Sequence, residues 1–133
     1  MILEHFAIWS ADIDRLKDYY CRYFGGIANE PYHNTMRNFT SYFLRFGNGA
    51  RLELMQQPGI PANLNDTVAQ HLGLIHLAFS VNTLQEVDDK ALELHQVGFL
   101  LLKGPRKTGD GYYEFETLDP DGNRLEVTCN YPI

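Results

Sequence analysis

The sequence predicts an α+β fold made of two βαβββ modules that together form a cupped mixed sheet. Three observations lead to this prediction: the segment around His5 recurs around His76, each copy is followed by a helical pattern, and each helix is followed by strand-like segments. Because such a repeat is typical of one structural unit used twice, the two halves are expected to share one architecture.

The length of the chain limits how this repeat is organised. With 133 residues the chain is long enough for one domain with its own core and short for two ordinary domains. We therefore expect a single domain over 1–133, with modules at about 1–57 and 74–133. The segment between them, about 58–73, is rich in Pro, Asn and Gly and is predicted to be a linker with a short helical piece near 66–72.

The repeat is clearest in the strands that begin and end each module. The segment 3–8 corresponds to 74–79, and both contain a histidine followed by apolar residues. The segment 51–54 corresponds to 124–127, and both read Arg-Leu-Glu followed by Leu or Val. These four segments are predicted to be the first and last strands of the two modules.

A helix is predicted directly after the first strand of each module, because apolar residues recur there at three- and four-residue spacing. The first helix has Asp12 as N-cap and ends at a glycine pair. The second begins with a capping box of Thr83 and Glu86 and ends at Gly98. The apolar positions are Ile13, Leu16, Tyr20 and Phe24 in the first helix and Leu84, Val87, Ala91 and Leu94 in the second.

The remaining strands are predicted from aromatic and β-branched residues between turn signals. The stronger segments are about 39–46, 50–56, 111–118 and 123–129, and the weaker ones are about 27–32 and 99–103. Asn-Gly at 48–49 and Asp-Pro-Asp-Gly at 119–122 are typical of hairpin turns. Each helix is thus followed by antiparallel strands.

Composition excludes several classes of function. A net charge of −6 disfavours binding to nucleic acid or an anionic membrane. The basic cluster Lys103, Arg106 and Lys107 is interpreted as a solvated surface feature. Cys21 and Cys129 are far apart and are interpreted as packing thiols. No membrane-spanning or secretory pattern is present, so a cytoplasmic location is expected.

Strand alternation places four polar residues on equivalent faces. In the segment 74–81 the apolar residues at every second position must pack against the helix, so His76 points away from it, and His5 follows the same alternation. Apolar residues on both sides of Glu53 and of Glu126 turn these carboxylates away from the helices as well. All four side chains are therefore expected on the concave side of the sheet.

Two carboxylates that face one cavity need a compensating charge, because a desolvated carboxylate is costly unless it is paired or bound to a metal. Two imidazoles with two carboxylates suit Zn, Ni, Co, Mn or Fe(II) in a site that leaves positions open for water or substrate. The predicted ligands of one divalent metal ion are His5, Glu53, His76 and Glu126.

Each of these residues taken singly has a plainer interpretation. A strand histidine is often a hydrogen-bonded core residue, and a strand glutamate often faces solvent or pairs with an arginine, here Arg51 or Arg124. The histidine and the glutamate recur in phase in the two modules, and this favours the metal centre. A site on a pseudo-twofold axis between the modules would take one histidine and one glutamate from each module.

Over essentially its whole length the chain resembles the vicinal-oxygen-chelate superfamily, the fold group of glyoxalases, bleomycin-resistance proteins and extradiol dioxygenases. The resemblance rests on the paired βαβββ pattern, on His5 and His76 in the first strands, on Asp-Pro-Asp-Gly-Asn at 119–123, and on Glu126 in Arg-Leu-Glu-Val. With Glu53 as the fourth ligand, the set is most similar to that of lactoylglutathione lyase (glyoxalase I).

This resemblance implies a metal-dependent lyase or isomerase that acts on a small α-oxo carbonyl compound or its thiol adduct. The metal would be a Lewis acid and a glutamate would move a proton between carbons. Glu126 is the implied base, and Glu53 is its counterpart on the other side of the metal. The resemblance also implies a homodimer, with the site completed within one chain or by modules exchanged between two.

Four further residues are candidates for contact with the substrate. Trp9 should share the face of His5 and form a wall of the pocket. The other three, which could bind an anionic group, are Arg37, Asn38 and Lys107. Lactoylglutathione lyases commonly carry a basic residue shortly after the first histidine, where this chain has Trp9, so the resemblance does not extend to glutathione as the thiol.

Two alternatives stay open at the level of the sequence. One is another metal-dependent enzyme of the same fold, such as an epimerase or a ring-cleaving dioxygenase. The other is a non-catalytic protein that binds or sequesters a small molecule.

Overall fold

A computed structural model describes residues 1–64 and 66–131, and the chain divides into two compact units, Met1–Asn63 and Leu64–Ile133. Each unit contains one long helix and one mixed sheet, and the hydrogen-bonded ladders of the two sheets are separate. The predicted α+β class, with the same architecture used twice, is confirmed.

The first unit begins and ends with strands that lie side by side. In chain order it contains β1 (His5–Trp9), α1 (Ile13–Phe24), β2 (Ile27–Ala28), β3 (Tyr32–Asn34), β4 (Phe39–Arg45) and β5 (Arg51–Gln56). β1 is parallel to β5, β5 is antiparallel to β4, and both β2 and β3 pair with β4. The weak strand predicted at 27–32 is thus two short strands.

The core of the first unit lies between α1 and the sheet. The Asp12 carboxylate accepts the backbone N–H of Arg15 at 3.0 Å, and Gly25 ends the helix with a φ of 69°, as predicted. The side chains buried there include Ile13, Leu16, Tyr20, Leu44, Leu52 and Leu54. Because every second residue of β5 is buried against α1, Glu53 faces away from the helix.

The second unit repeats this arrangement. In chain order it contains β6 (His76–Ser80), α2 (Leu84–Gln96), β7 (Leu101–Lys107), β8 (Tyr112–Leu118) and β9 (Arg124–Asn130). β6 is parallel to β9, and β9, β8 and β7 follow as antiparallel neighbours. Even the register recurs, since His76 lies opposite Arg124 as His5 lies opposite Arg51.

The core of the second unit lies between α2 and its sheet. The capping box is confirmed: Thr83 Oγ1 accepts the N–H of Glu86 at 3.2 Å, and the Glu86 carboxylate accepts the N–H of Thr83 at 2.9 Å. The buried side chains include Val87, Ala91, Leu94, Phe115, Leu125, Val127 and Cys129. Burial of alternate residues of β9 turns Glu126 away from α2.

A bulge interrupts the pairing of β7 with β8. The register shifts between Lys103 and Arg106, and Gly104 lies between them with a φ of 80°. A Cβ on Gly104 would lie 2.5 Å from the carbonyl oxygen of Glu114, so only glycine fits here. As a result Arg106, three residues after Lys103, lies on the same face of the strand.

The predicted linker helix near 66–72 is wrong. The described residues of that segment form bends, and the Asp66 carboxylate accepts the N–H of Val68 at 2.6 Å and of Ala69 at 2.9 Å. Hydrogen bonds from these backbone N–H groups to the Asp66 side chain take the place of helical hydrogen bonds.

Among the described helices, neither combines the length and the apolar character needed to cross a membrane.

Candidate metal centre

His5 and Glu53 form a pair where β1 runs parallel to β5. Ala7 lies directly opposite Glu53, so the histidine two residues earlier is the diagonal neighbour of the glutamate on one face. His5 Nε2 lies 3.7 Å from Glu53 Oε2, and the two side chains are 40% and 17% exposed. The glutamate is therefore largely desolvated while the histidine remains accessible.

His76 and Glu126 form the equivalent pair in the second unit. Ala78 lies opposite Glu126, and His76 is again the diagonal neighbour. His76 Nε2 lies 3.4 Å from Glu126 Oε2, and the side chains are 34% and 13% exposed. The geometry of the first pair thus recurs in the second.

The separation within each pair fits two ligands of one ion. Donor atoms that each lie about 2.0–2.2 Å from a metal are roughly 3–4 Å apart, and the observed 3.7 and 3.4 Å fall in that range. Both distances are longer than an ordinary hydrogen bond. On the strand that carries each histidine, the residue opposite the glutamate is an alanine, Ala7 in the first unit and Ala78 in the second.

Arg51 and Arg124, which the sequence offered as partners for the two glutamates, are engaged elsewhere. Arg51 Nε donates to Glu4 at 2.7 Å. Arg124 Nη1 donates to Glu116 at 2.8 Å, and its Nη2 donates to the carbonyl oxygen of Thr67 at 2.9 Å. The plainer interpretation, in which each strand glutamate pairs with the adjacent arginine, is not realised among the described residues.

Aromatic rings surround the pair in the first unit. Phe43 lies opposite Glu53, and its ring meets the His5 ring edge-on at 5.3 Å. Further along the same face, Trp9 meets Phe39 edge-on at 6.0 Å and is 40% exposed. This face therefore offers accessible apolar surface to a ligand.

Arg37 extends the aromatic face, whereas Asn38 shapes the turn that leads into it. The Arg37 guanidinium lies 5.3 Å from the centroid of the Phe39 ring, and its Nη2 donates to Gln57 at 3.2 Å. Asn38 has a φ of 49°, a left-handed conformation that asparagine adopts more readily than most residues. Trp9 and Arg37 thus both lie against the Phe39 ring.

Carboxylates and arginines surround the pair in the second unit. Oxygens of Glu114, Glu116 and Glu126 lie within 4.8 Å of one another. Arg106 Nη2 lies 3.5 Å from Glu114 and 3.9 Å from Glu116, and Arg124 binds Glu116 as well. Burial raises the pKa of Glu114 to about 7, with a contribution from the charge of Glu126 and a hydrogen bond to it, whereas Arg106 lowers this pKa.

Lys107, a predicted substrate contact, lies on the other face of this sheet. It stands opposite Tyr113, and its Nζ hydrogen bonds to the Tyr131 hydroxyl and lies 4.0 Å from the centroid of that ring. The bulge in β7 brings Arg106 to the face of Glu126 instead. The sequence analysis interpreted Arg106 as a solvated surface residue. It could not place Arg106 on this face, because the bulge arises from the pairing of β7 with β8.

The sequence did not identify Glu114 and Glu116 as neighbours of the candidate centre. Their alternation along β8 is visible in the sequence and predicts that they share a face. Their position next to Glu126 follows only from the register between β8 and β9, which sets Glu116 opposite Glu126.

Comparisons with known proteins agree with this architecture. A sequence model described as the Glyoxalase/Bleomycin resistance protein/Dioxygenase superfamily matches residues 2–127. No curated protein matches the sequence significantly.

Several solved structures are similar over nearly the entire chain. The trypanothione-dependent glyoxalase I of Leishmania major is 20% identical, with a TM-score of 0.76 over 96% of this chain and 85% of that one. A glyoxalase family protein from Enterococcus faecalis is 27% identical, with a TM-score of 0.73 over 94% of each chain. A glyoxalase family protein from Bacillus cereus is 13% identical, with a TM-score of 0.80 over 99% of this chain and 95% of that one.

Arg124 is expected to contribute far more to stability than Arg51, although the two occupy equivalent positions. Arg124 and Glu116 are 7% and 11% exposed, so removal of the arginine leaves a buried carboxylate without its closest cation. Arg51 and Glu4 are 36% and 52% exposed, and solvent screens their pair. We expect Arg124→Met to lower the free energy of unfolding by about 3 kcal/mol.

Urea denaturation followed by circular dichroism measures this difference, with Arg51→Met as the matched control. The control is expected to destabilise the protein far less. Equal destabilisation by both substitutions, or none by Arg124→Met, would contradict the importance of the buried ion pair.

Proposed function

Because the chain belongs to the glyoxalase/bleomycin resistance protein/dioxygenase superfamily, we propose that it is a metal-dependent lyase or isomerase of the glyoxalase I type. Its substrate would be a small α-oxo carbonyl compound or the thiol adduct of one. The observation that carries the proposal is the recurrence, in phase in both units, of a histidine Nε2 at 3.7 and 3.4 Å from a largely buried glutamate.

One divalent ion, drawn from Zn, Ni, Co, Mn and Fe(II), is the proposed cofactor. Its proposed ligands are His5, Glu53, His76 and Glu126. Two imidazole nitrogens and two carboxylates suit such ions, and neither glutamate depends on an arginine for its charge compensation. When bound, the ion would supply Lewis-acid chemistry to the oxygens of the substrate.

Glu126 is the proposed base, and Glu53 is its proposed counterpart. Glu126 would take a proton from one substrate carbon and return it to the adjacent carbon. Its side chain is 13% exposed, so water competes little for its oxygens. Arg106 and Arg124 form ion pairs with Glu114 and Glu116, whereas Glu126 hydrogen bonds to Glu114.

Trp9 and Arg37 are proposed to contact the substrate through the surface that they share with Phe39. An aromatic or apolar substituent would pack on the rings, and Arg37 would attract an anionic group. Asn38 is proposed to contribute from the adjoining turn. In the second unit Arg106 has more support for an anion contact than Lys107, because it lies on the face of Glu126.

The active form is proposed to be a homodimer. Two arrangements would complete the four-ligand centre: the two pairs meet within one chain, or each centre combines the first unit of one chain with the second unit of its partner. The number of ligands is the same in both arrangements, so metal stoichiometry alone does not separate them.

Metal binding tests the centre directly. Protein loaded with Zn²⁺ or Co²⁺ is expected to hold one ion per chain, because four ligands serve one ion. His5→Ala and His76→Ala are each expected to abolish tight binding rather than to remove half of it. Isothermal titration calorimetry with elemental analysis measures both quantities. Two ions per chain, or loss of half of the binding in each variant, would show that the pairs act separately.

An equimolar mixture of the two variants, unfolded and refolded together, distinguishes the two arrangements. If the centres are exchanged between chains, a mixed dimer contains one centre with all four ligands and regains binding. If each centre lies within one chain, the mixture still does not bind the metal ion tightly.

Glu126→Gln tests the proton transfer. It keeps a ligand oxygen but not the base, so turnover of a hemithioacetal of methylglyoxal with a thiol should fall by about 10²–10⁴-fold. Metal content is expected to be retained. Glu93→Gln, on the exposed side of α2, is the matched control and should leave turnover unchanged.

Two further measurements separate the alternative functions. Oxygen consumption by the wild-type protein with an aromatic diol would favour ring cleavage. Binding of adducts from a panel of thiols, without turnover of any of them, would favour a sequestering protein.

Trp9→Ala tests the aromatic face. The KM for an aryl-substituted α-oxo adduct is expected to rise about fivefold, equivalent to about 1 kcal/mol of aromatic contact. The KM for the methyl analogue should change little, and Trp9→Phe should retain most of the selectivity. An equal change for the two substrates would argue against contact between Trp9 and the substituent.

A further inference from the structure

Glu4 contacts the ring nitrogen of His5 that faces away from Glu53. The Glu4 carboxylate hydrogen bonds to His5 Nδ1, while Nε2 of the same ring faces Glu53 at 3.7 Å. A neutral imidazole has one donor and one acceptor nitrogen. A carboxylate at Nδ1 accepts the N–H there and leaves the lone pair on Nε2.

Arg51 holds Glu4 in this position through two hydrogen bonds. Its Nε donates to the Glu4 carboxylate at 2.7 Å, and its backbone N–H donates to the Glu4 carbonyl oxygen at 2.9 Å. The guanidinium lies 4.2 Å from the centroid of the Phe43 ring, and the His5 ring meets the same ring edge-on. Both partners of Glu4, Arg51 and His5, thus pack against one aromatic residue.

We propose that Glu4 and Arg51 are positioning residues that orient His5 with its Nδ1–H on Glu4 and its Nε2 lone pair toward a metal ion shared with Glu53. This inference rests on the proposed function, because it concerns one ligand of the proposed centre. A carboxylate behind a metal-binding imidazole fixes the tautomer and the ring orientation, and loss of such a partner typically weakens metal binding about 10–100-fold.

Among the described residues of the second unit, no carboxylate is hydrogen bonded to the corresponding histidine Nδ1. Ile75 precedes His76 and offers no acceptor, and Arg124 binds Glu116 and the carbonyl oxygen of Thr67. The two units therefore differ at the residue that precedes the histidine, which is Glu4 in the first unit and Ile75 in the second. Of the two proposed histidine ligands, His5 is the one with a carboxylate at its Nδ1 in the described part of the chain.

Zn²⁺ titration of the full-length protein at about pH 8, where an ordinary imidazole is neutral, tests the proposal. Glu4→Leu is expected to weaken Zn²⁺ binding about 10–100-fold, and Arg51→Met is expected to weaken it less. Glu4→Gln keeps an acceptor oxygen without the charge and should restore part of the loss. Glu30→Gln removes one exposed charge from the same unit and is the control for net charge.

Nitrogen-15 NMR of the histidine rings in the metal-free protein supplies a readout independent of binding. His5 is expected as a single Nδ1–H tautomer in the wild type and as a mixture in Glu4→Leu, with the His76 signals unchanged. A His5 tautomer and a Zn²⁺ affinity that are both unaffected by Glu4→Leu would overturn the positioning role. A wild-type protein that binds no divalent ion would instead overturn the proposed function, and the tautomer measurement would still decide the role of Glu4.

Discussion

The parallel pairing between the first and the last strand of each unit is the interaction on which the candidate centre depends. Adjacent strands lie only about 4.8 Å apart, so this pairing makes diagonal neighbours of a histidine and a glutamate that are distant in the sequence. The register is the same in both units, with His5 opposite Arg51 and His76 opposite Arg124. A shift of one residue would turn either glutamate toward the helix.

Burial of the apolar neighbours determines which face each glutamate occupies. Leu52 and Leu54, on either side of Glu53, are fully buried against α1, and the equivalent residues in β9 are buried against α2. The glutamates must then lie on the other face, where they are less than one-fifth exposed. The arginine near each glutamate in its strand binds another carboxylate, Glu4 for Arg51 and Glu116 for Arg124.

The two units share a backbone plan but have diverged in what surrounds each His–Glu pair. The residue opposite Glu53 is Phe43, whereas the residue opposite Glu126 is Glu116. Together with Glu4 in place of Ile75, this difference gives the equivalent arginines different partners: Arg51 packs on the phenyl ring and binds Glu4, and Arg124 binds the cross-strand glutamate. In the proposed enzyme the first unit would therefore orient a ligand and receive an apolar substituent, and the second would provide the base.

The sequence by itself determined the α+β class, the repeat, the helix caps and the face of each candidate ligand, because these follow from local periodicity, capping chemistry and strand alternation. It did not determine that 66–72 lacks a helix, where the Asp66 side chain satisfies the backbone donors. It also did not identify Glu114 and Glu116 or the placement of Arg106 and Lys107 on opposite faces. Only the tertiary structure decided these, because cross-strand register and the bulge at Gly104 arise from the pairing of separate strands.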